Sequence, residues 1–166
     1  MPVEDHETAF PYRDIPLFVI HYTLVGYWWA CGYDAFVKGV YDILTPGGYF
    51  IFSQEHPLTT APISGASWAK DENGNVLHYK LTDYSRCGKR TTTWIVDGVE
   101  KYHRTFSEII NSLCSAGFTI ETMLEPTPTQ EIIEMDKSWE KDLHKPNFLL
   151  INVRKWLRWR KWQKYF

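Results

Sequence analysis

Apolar and polar positions change period several times along this chain, and the changes divide it into elements. From Tyr33 to Leu44 the apolar residues Phe36, Val37, Val40, Tyr41 and Leu44 recur at three- and four-residue steps. That spacing gathers them on one face and predicts a helix, with Lys38 and Asp42 elsewhere on the wheel. Thr45-Pro46-Gly47-Gly48 follows as a turn, because proline cannot continue a helix and glycine accepts the left-handed conformation that closes one. Tyr49-Phe50-Ile51-Phe52 is aromatic and β-branched throughout, as buried strands are. Thr105-Phe106-Ser107-Glu108 is a capping box and opens a second helix, whose face is Phe106, Ile109, Ile110 and Leu113 and whose end is Gly117. Phe118 to Glu125 alternates as a half-buried strand, and Phe148 to Val153 is a continuous apolar strand. Ile15, Leu17, Phe18, Val19 and Ile20, within residues 14–22, predict another buried strand, which Pro16 places at an edge.

The remaining stretches are less regular. Residues 90–96 and 99–105 flank Asp97-Gly98, which predicts a hairpin closed by a two-residue turn with positive φ at both positions. His56 to Asn75 reads as a long loop, punctuated by Pro57, Pro62, Gly65 and Gly74. Val76 to Tyr84 alternates in part, as a strand would. Glu131 to Leu143 reads as a short polar helix that Lys145-Pro146 ends. Gly26-Tyr27-Trp28-Trp29-Ala30-Cys31-Gly32 has neither a clear period nor turn logic. Strands and helices alternate along the chain, which is an α/β pattern.

Composition narrows the class. At 166 residues the length suits one domain, read as 1–155 followed by a basic, Trp-rich tail at 156–166. No apolar run is long enough for a membrane helix. Cys31, Cys87 and Cys114 show no metal-ligand spacing. An odd, scattered set suits reduced thiols, and the acidic start (Glu4, Asp5, Glu7) does not read as a signal peptide, so a cytoplasmic location is expected. Residues 154–166 hold six of the 18 basic residues and no acid, leaving twelve basic against 20 acidic residues elsewhere. An acidic body is not a nucleic-acid-binding surface. In the tail, Trp156, Trp159 and Trp162 interleave with the basic residues, a pattern that can lie in a membrane interface. An exposed tail, or a helix packed on a neighbouring subunit, is the preferred reading.

In open α/β sheets ligands bind beyond the carboxyl ends of the strands. Ser53, Gln54, Glu55 and His56 occupy that place after Phe52. His56 is the candidate catalytic residue, as a group that positions an acceptor or as a general base, since imidazole titrates near neutrality. Glu55 is a second candidate, with a turn or cap acceptor as its structural alternative. No zinc spacing, Ser/His/Asp order or phosphate loop is present, so no metal is expected.

The order of these marks is specific. Leu44-Thr45-Pro46-Gly47-Gly48 stands before a strand and Glu55-His56-Pro57 after it. Val99-Glu100-Lys101-Tyr102-His103-Arg104-Thr105, Ala116-Gly117-Phe118 and Asn147-Phe148-Leu149-Leu150-Ile151 follow in turn. The stretch from Tyr33 to Lys155, about three quarters of the chain, resembles the C-terminal half of class I S-adenosylmethionine-dependent methyltransferases of the small-molecule type. Met1-Pro2-Val3-Glu4-Asp5 resembles the family's short acidic loop before the fourth strand. The resemblance implies a partial Rossmann-like sheet of the last four strands, the final one antiparallel, with an inserted β-hairpin. It implies that the hairpin roofs an acceptor pocket, with Tyr102, His103 and Arg104 as substrate-binding residues beside Glu55. It puts His21 and Tyr22, at the end of the fourth strand, near the cofactor S-adenosylmethionine. The sequence departs from the family in two respects: it has no GxGxG, Gly47-Gly48 being its only adjacent glycines, and residues 11–32 match the family poorly apart from His21-Tyr22.

Two functions follow. One is a methyltransferase acting on a small acceptor, incomplete on its own. The alternative is a non-catalytic remnant that serves as an interaction module or a dimerising fragment. In the family the fourth strand lies between the first and the fifth, so here it is expected to be an edge. An unpaired edge recruits another chain, and residues 14–22 are therefore expected to mediate a homodimer or strand exchange.

Overall fold

The computed structural model describes residues 14–20, 32–64, 68–92 and 98–156. Its main sheet has four strands in the order β1-β2-β8-β7. These are β1 (Ile15–Ile20), β2 (Leu44–Glu55), β7 (Phe118–Leu124) and β8 (Phe148–Lys155). β1 runs parallel to β2, and β8 is antiparallel to both β2 and β7. The last of the described strands thus lies in the interior of the sheet. Two helices pack together on one face, α1 (Tyr33–Ile43) and α3 (Phe106–Ala116). Three smaller elements fill the excursion between β2 and α3: α2 (Pro57–Thr60), a hairpin of β3 (Trp68–Lys70) and β4 (Val76–Tyr79), and a hairpin of β5 (Gly88–Thr92) and β6 (Val99–His103). Between β7 and β8 lie α4 (Gln130–Met135) and a 3₁₀ segment (Lys137–Leu143).

The core follows the predicted periodicities. Val37 and Val40 of α1, Ile109 and Leu113 of α3, Phe50 and Phe52 of β2, and Leu149, Ile151 and Val153 of β8 are all buried in one cluster. On β2 and β8 alternate residues point to the helices, because strand side chains switch face at every step. The Phe50 and Phe52 rings stack at 4.7 Å, and Phe118 meets Tyr41 edge to face at 5.0 Å. The capping box is present in full: Glu108 N–H donates to Thr105 Oγ1 at 3.3 Å, and Thr105 N–H donates to Glu108 Oε2 at 2.9 Å. Gly117 closes α3 at φ 103°.

Five expectations change. α1 is not closed by a left-handed glycine: Leu44 goes directly into an extended conformation, and its N–H bonds to the Val40 carbonyl. Pro46 is consistent with a stop here: it cannot continue a helix and disfavours the helical region at Thr45, the residue before it. The two glycines have other work. Gly47 takes φ 84°, and a Cβ on Gly48 would lie 2.9 Å from the Thr45 carbonyl oxygen and 3.1 Å from that of Pro16 on β1. In the second hairpin Val99 pairs with Thr92, so the register is not the one in which Asp97-Gly98 would directly link residues 96 and 99. The register is anchored at the other end, where buried Arg90 donates from Nε to the Ala61 carbonyl at 3.0 Å. The long loop contains α2 and β3. The polar helix is divided at Asp136, whose extended backbone and carboxylate cap the 3₁₀ segment. β1 is not a fully buried strand, since Leu17 remains 49% exposed.

Replacing Gly117 by alanine should destabilise the fold by about 1–2 kcal/mol, the cost of a left-handed L-residue, and the new Cβ would meet the Tyr41 ring at 3.1 Å. Thr105→Ala should cost about 1 kcal/mol through loss of the cap. Urea denaturation of each variant, read by circular dichroism, checks both values.

Candidate functional site

β2 delivers Glu55 and His56 to the carboxyl end of the sheet, and the chain turns at once into α2. Pro57 suits the first turn of that short helix, and His56 is its N-cap. The Leu58 N–H donates to His56 Nδ1 at 3.1 Å, so this nitrogen is the acceptor and the proton resides on Nε2. Nε2 donates to Glu125 Oε1 at 2.8 Å. The His56 N–H donates to the Asn147 carbonyl at 2.8 Å. Burial holds the imidazole below its ordinary value, against the pull of the Glu125 carboxylate. His56 is therefore a neutral, oriented imidazole with both ring nitrogens engaged.

The other candidates form two groups around it. Glu55 accepts from Lys101 Nζ of β6 at 3.0 and 3.1 Å, joining the strand tip to the second hairpin. His103 is fully buried; its Nε2 donates to the Tyr84 carbonyl at 2.8 Å, and its Nδ1 accepts from the Thr60 hydroxyl at 2.8 Å. Burial pushes its pKa down as well. Arg104 lies 4.9 Å from the centre of the Tyr33 ring, a cation–π contact, and burial lowers its pKa. Burial also raises the Tyr33 phenol far above its ordinary value.

Tyr102, His103 and Arg104 line one cleft of about 630 Å³. It lies between the N-terminal end of α1, the side of α3 and the base of the second hairpin, with Tyr33, Asp34 and Glu108 among its walls. Glu55 and His56 are not among its walls; they stand behind it, on the β6 and α2 side. His21 and Tyr22 lie outside the described residues.

Sequence reasoning missed the polar groups that fix this region. Lys145 is buried and donates from Nζ to Thr59 Oγ1 at 2.9 Å and Asn147 Oδ1 at 2.6 Å. Its ammonium lies 5.7 Å from the Trp68 ring centre and 5.0 Å from that of Tyr79. Burial lowers its pKa, against the opposing charge of Asp142. Arg90, Thr60 and Glu125 were missed for the same reason: their partners come from distant segments. The one local signal was Thr59-Thr60, one residue beyond His56-Pro57, two hydroxyls that a solvated loop would not require.

Among the described residues no group of three or more His, Cys, Asp or Glu side chains could hold a metal ion, and no helix is long and apolar enough to cross a membrane. The described residues do not fit a whole S-adenosylmethionine. Of the glycines, those open enough for a ligand to approach the backbone are Gly74, Gly88 and Gly98, and all three belong to the hairpins rather than to the carboxyl end of β1 or β2.

His56 and His103 bind protons less readily folded than unfolded, so the unfolded chain takes up more protons below the ordinary imidazole value. The stability they contribute is complete above a pH of about 6.5 and is lost as pH falls below it. The denaturation midpoint should drop between neutral and mildly acidic buffer, and His103→Gln should flatten that slope while lowering stability at neutral pH. Denaturant titrations over a series of pH values measure both effects.

No family model matches the sequence. A crystal structure of an S-adenosylmethionine-dependent methyltransferase from Mesorhizobium loti superposes with a TM-score of 0.77 at 32% identity, over 90% of this chain and 66% of that one. A candidate methyltransferase of the same class from Listeria monocytogenes superposes at 0.76 with 31% identity, over 91% and 66%. An uncharacterized protein of Haemophilus influenzae is 37% identical over 127 residues, which is 74% of this chain and 48% of that protein. The chain thus spans about half the length of this curated relative. Sheet order, antiparallel β8 and these two superpositions together show that the chain carries the class I S-adenosylmethionine-dependent methyltransferase fold, in the C-terminal part of which its elements lie.

Proposed function

We propose that this chain forms the acceptor side of an S-adenosylmethionine-dependent methyltransferase that acts on a small molecule. The observation that carries the reading is the likeness to the Mesorhizobium loti methyltransferase over 90% of the chain at 32% identity. The cleft walled by Tyr102 and Arg104 is the acceptor pocket. Arg104 and the Tyr33 face orient the acceptor, and the Glu55–Lys101 pair fixes β6 behind it. His56 acts as a positioning residue, because both of its ring nitrogens are committed to Glu125 and Leu58. The cofactor supplies the methyl group; these 166 residues hold no Gly-rich cradle for it, so the groups that would hold it lie outside them. Three scattered cysteines without a pairing pattern support a cytoplasmic location for this activity.

Titration calorimetry with S-adenosylmethionine and S-adenosylhomocysteine tests this. Saturable binding of either supports the methyltransferase reading. Heat from neither at millimolar ligand would leave the second reading, a non-catalytic interaction module, which the missing glycine cradle favours. Self-assembly has its own check. β1 pairs with β2 alone among the described residues, and Leu17 is half exposed. A free edge of this kind takes up a further strand, so light scattering should give a dimer. A monodisperse monomer at high concentration rules out association through residues 14–22.

A further inference from the structure

A second cavity, of about 690 Å³, lies apart from the acceptor cleft, between the β3–β4 hairpin and the 3₁₀ segment. Lys70 stands on the hairpin side, and Lys137, Lys141 and His144 on the other; Glu140 is the one acidic group among its described walls. None of Lys70, Lys137 and Lys141 makes an ion pair with another described residue. The nearby carboxylates have hydrogen-bond partners of their own, and of these Asp136 also feels the charge of Lys141. Asp71 accepts from the Asn73 N–H at 2.9 Å, and from the Asn75 N–H and side-chain amide at 2.8 Å each. Asp136 accepts from the Ser138 N–H and hydroxyl, both at 2.8 Å. These bonds hold both carboxyl groups below their ordinary values. Asp142 is buried, and its charge acts on Lys145.

We infer that this groove is a binding site for a small phosphate-bearing molecule. Three lysines line one space, and the one carboxylate among its described walls offsets one of them. A monovalent partner would gain little there, because each exposed lysine contributes weakly on its own. A group with two or more charges can meet several lysines at once, and lysine binds phosphate as a point charge without a fixed geometry. The position is also unusual for this protein, in which acidic residues outnumber basic ones by 20 to 18. Gly74 takes φ 86° with nothing within 4 Å of where its Cβ would be, which leaves the hairpin lip open. The far wall leads inward: Trp68 touches His144 at 6.1 Å and Lys145 at 5.7 Å, and Lys145 holds Thr59 of α2. The site does not depend on the methyltransferase reading.

Amide NMR titrations of the full chain with pyrophosphate, ribose 5-phosphate and citrate test it. Saturable shifts at Lys70, Asn75 and residues 137–144 with the two phosphate probes are expected, weakening as salt is raised. Lys70→Glu, and separately Lys137→Glu with Lys141→Glu, should weaken binding about tenfold or more, one decade being the loss of a single modest charge contact. Lys38→Glu, on exposed α1, should leave it unchanged. Shifts that do not saturate, or equal weakening by Lys38→Glu, overturn the site. Citrate binding as tightly as pyrophosphate overturns its assignment to phosphate.

Discussion

One turn of helix, Pro57–Thr60, holds three sheets together. Among the described residues the two hairpins make no ladder with the main sheet; each is a separate two-stranded sheet. Their attachment runs through α2. His56 caps it, Tyr79 of the first hairpin donates to the Leu58 carbonyl, and Thr60 donates to His103 of the second. Arg90 takes the Ala61 carbonyl, and Lys145 takes the Thr59 hydroxyl from the far end of the chain. A two-stranded ribbon is marginal alone, so each hairpin depends on these contacts for its place. They are worth more here than on a surface, because a buried donor left without its acceptor costs its full desolvation.

This arrangement also shapes the cleft beside the second hairpin. Its floor and roof belong to different layers, α1 with α3 below and the base of the second hairpin above. Polar contacts behind the cleft set the gap between them: Glu55 with Lys101, and His103 with Thr60 and Tyr84. Neutral imidazoles suit that task. Each gives one proton and takes one, so two directions are fixed without burying a charge.

Much of the main sheet and both major helices could be read from the sequence, because their determinants are local. The three- and four-step face of α1 and the Thr105–Glu108 box each lie within one element, whereas the alternation read for β7 is not seen in its burial, which passes from buried Phe118 to exposed Leu124. The hairpin register could not be read. Asp97-Gly98 is a strong local turn signal, yet a buried guanidinium on an unrelated carbonyl decides the pairing. The site was legible in its strand tip and not in its supports. Glu55, His56 and the Tyr102–Arg104 run stood out by position, whereas Lys145 looked like part of a helix stop. Its burial depends on Trp68 and Tyr79, more than sixty residues earlier in the chain. The Pro-Gly-Gly turn was identified for the wrong reason. Its second glycine is needed because the β1 backbone passes so close.

The interior place of β8 bears on how the protein is made. β2 and β7 never touch as partners; each is completed by β8, the last described strand to leave the ribosome. Until then the helices have a divided floor, and two strands rich in Phe, Ile and Leu present open ladders. Such edges attract other chains during synthesis. Closing the sheet must also bring together segments about a hundred residues apart, which slows folding. The nascent chain is therefore most vulnerable just before its final strand arrives, and a ribosome that stalls between β7 and β8 leaves the half-made sheet open longest.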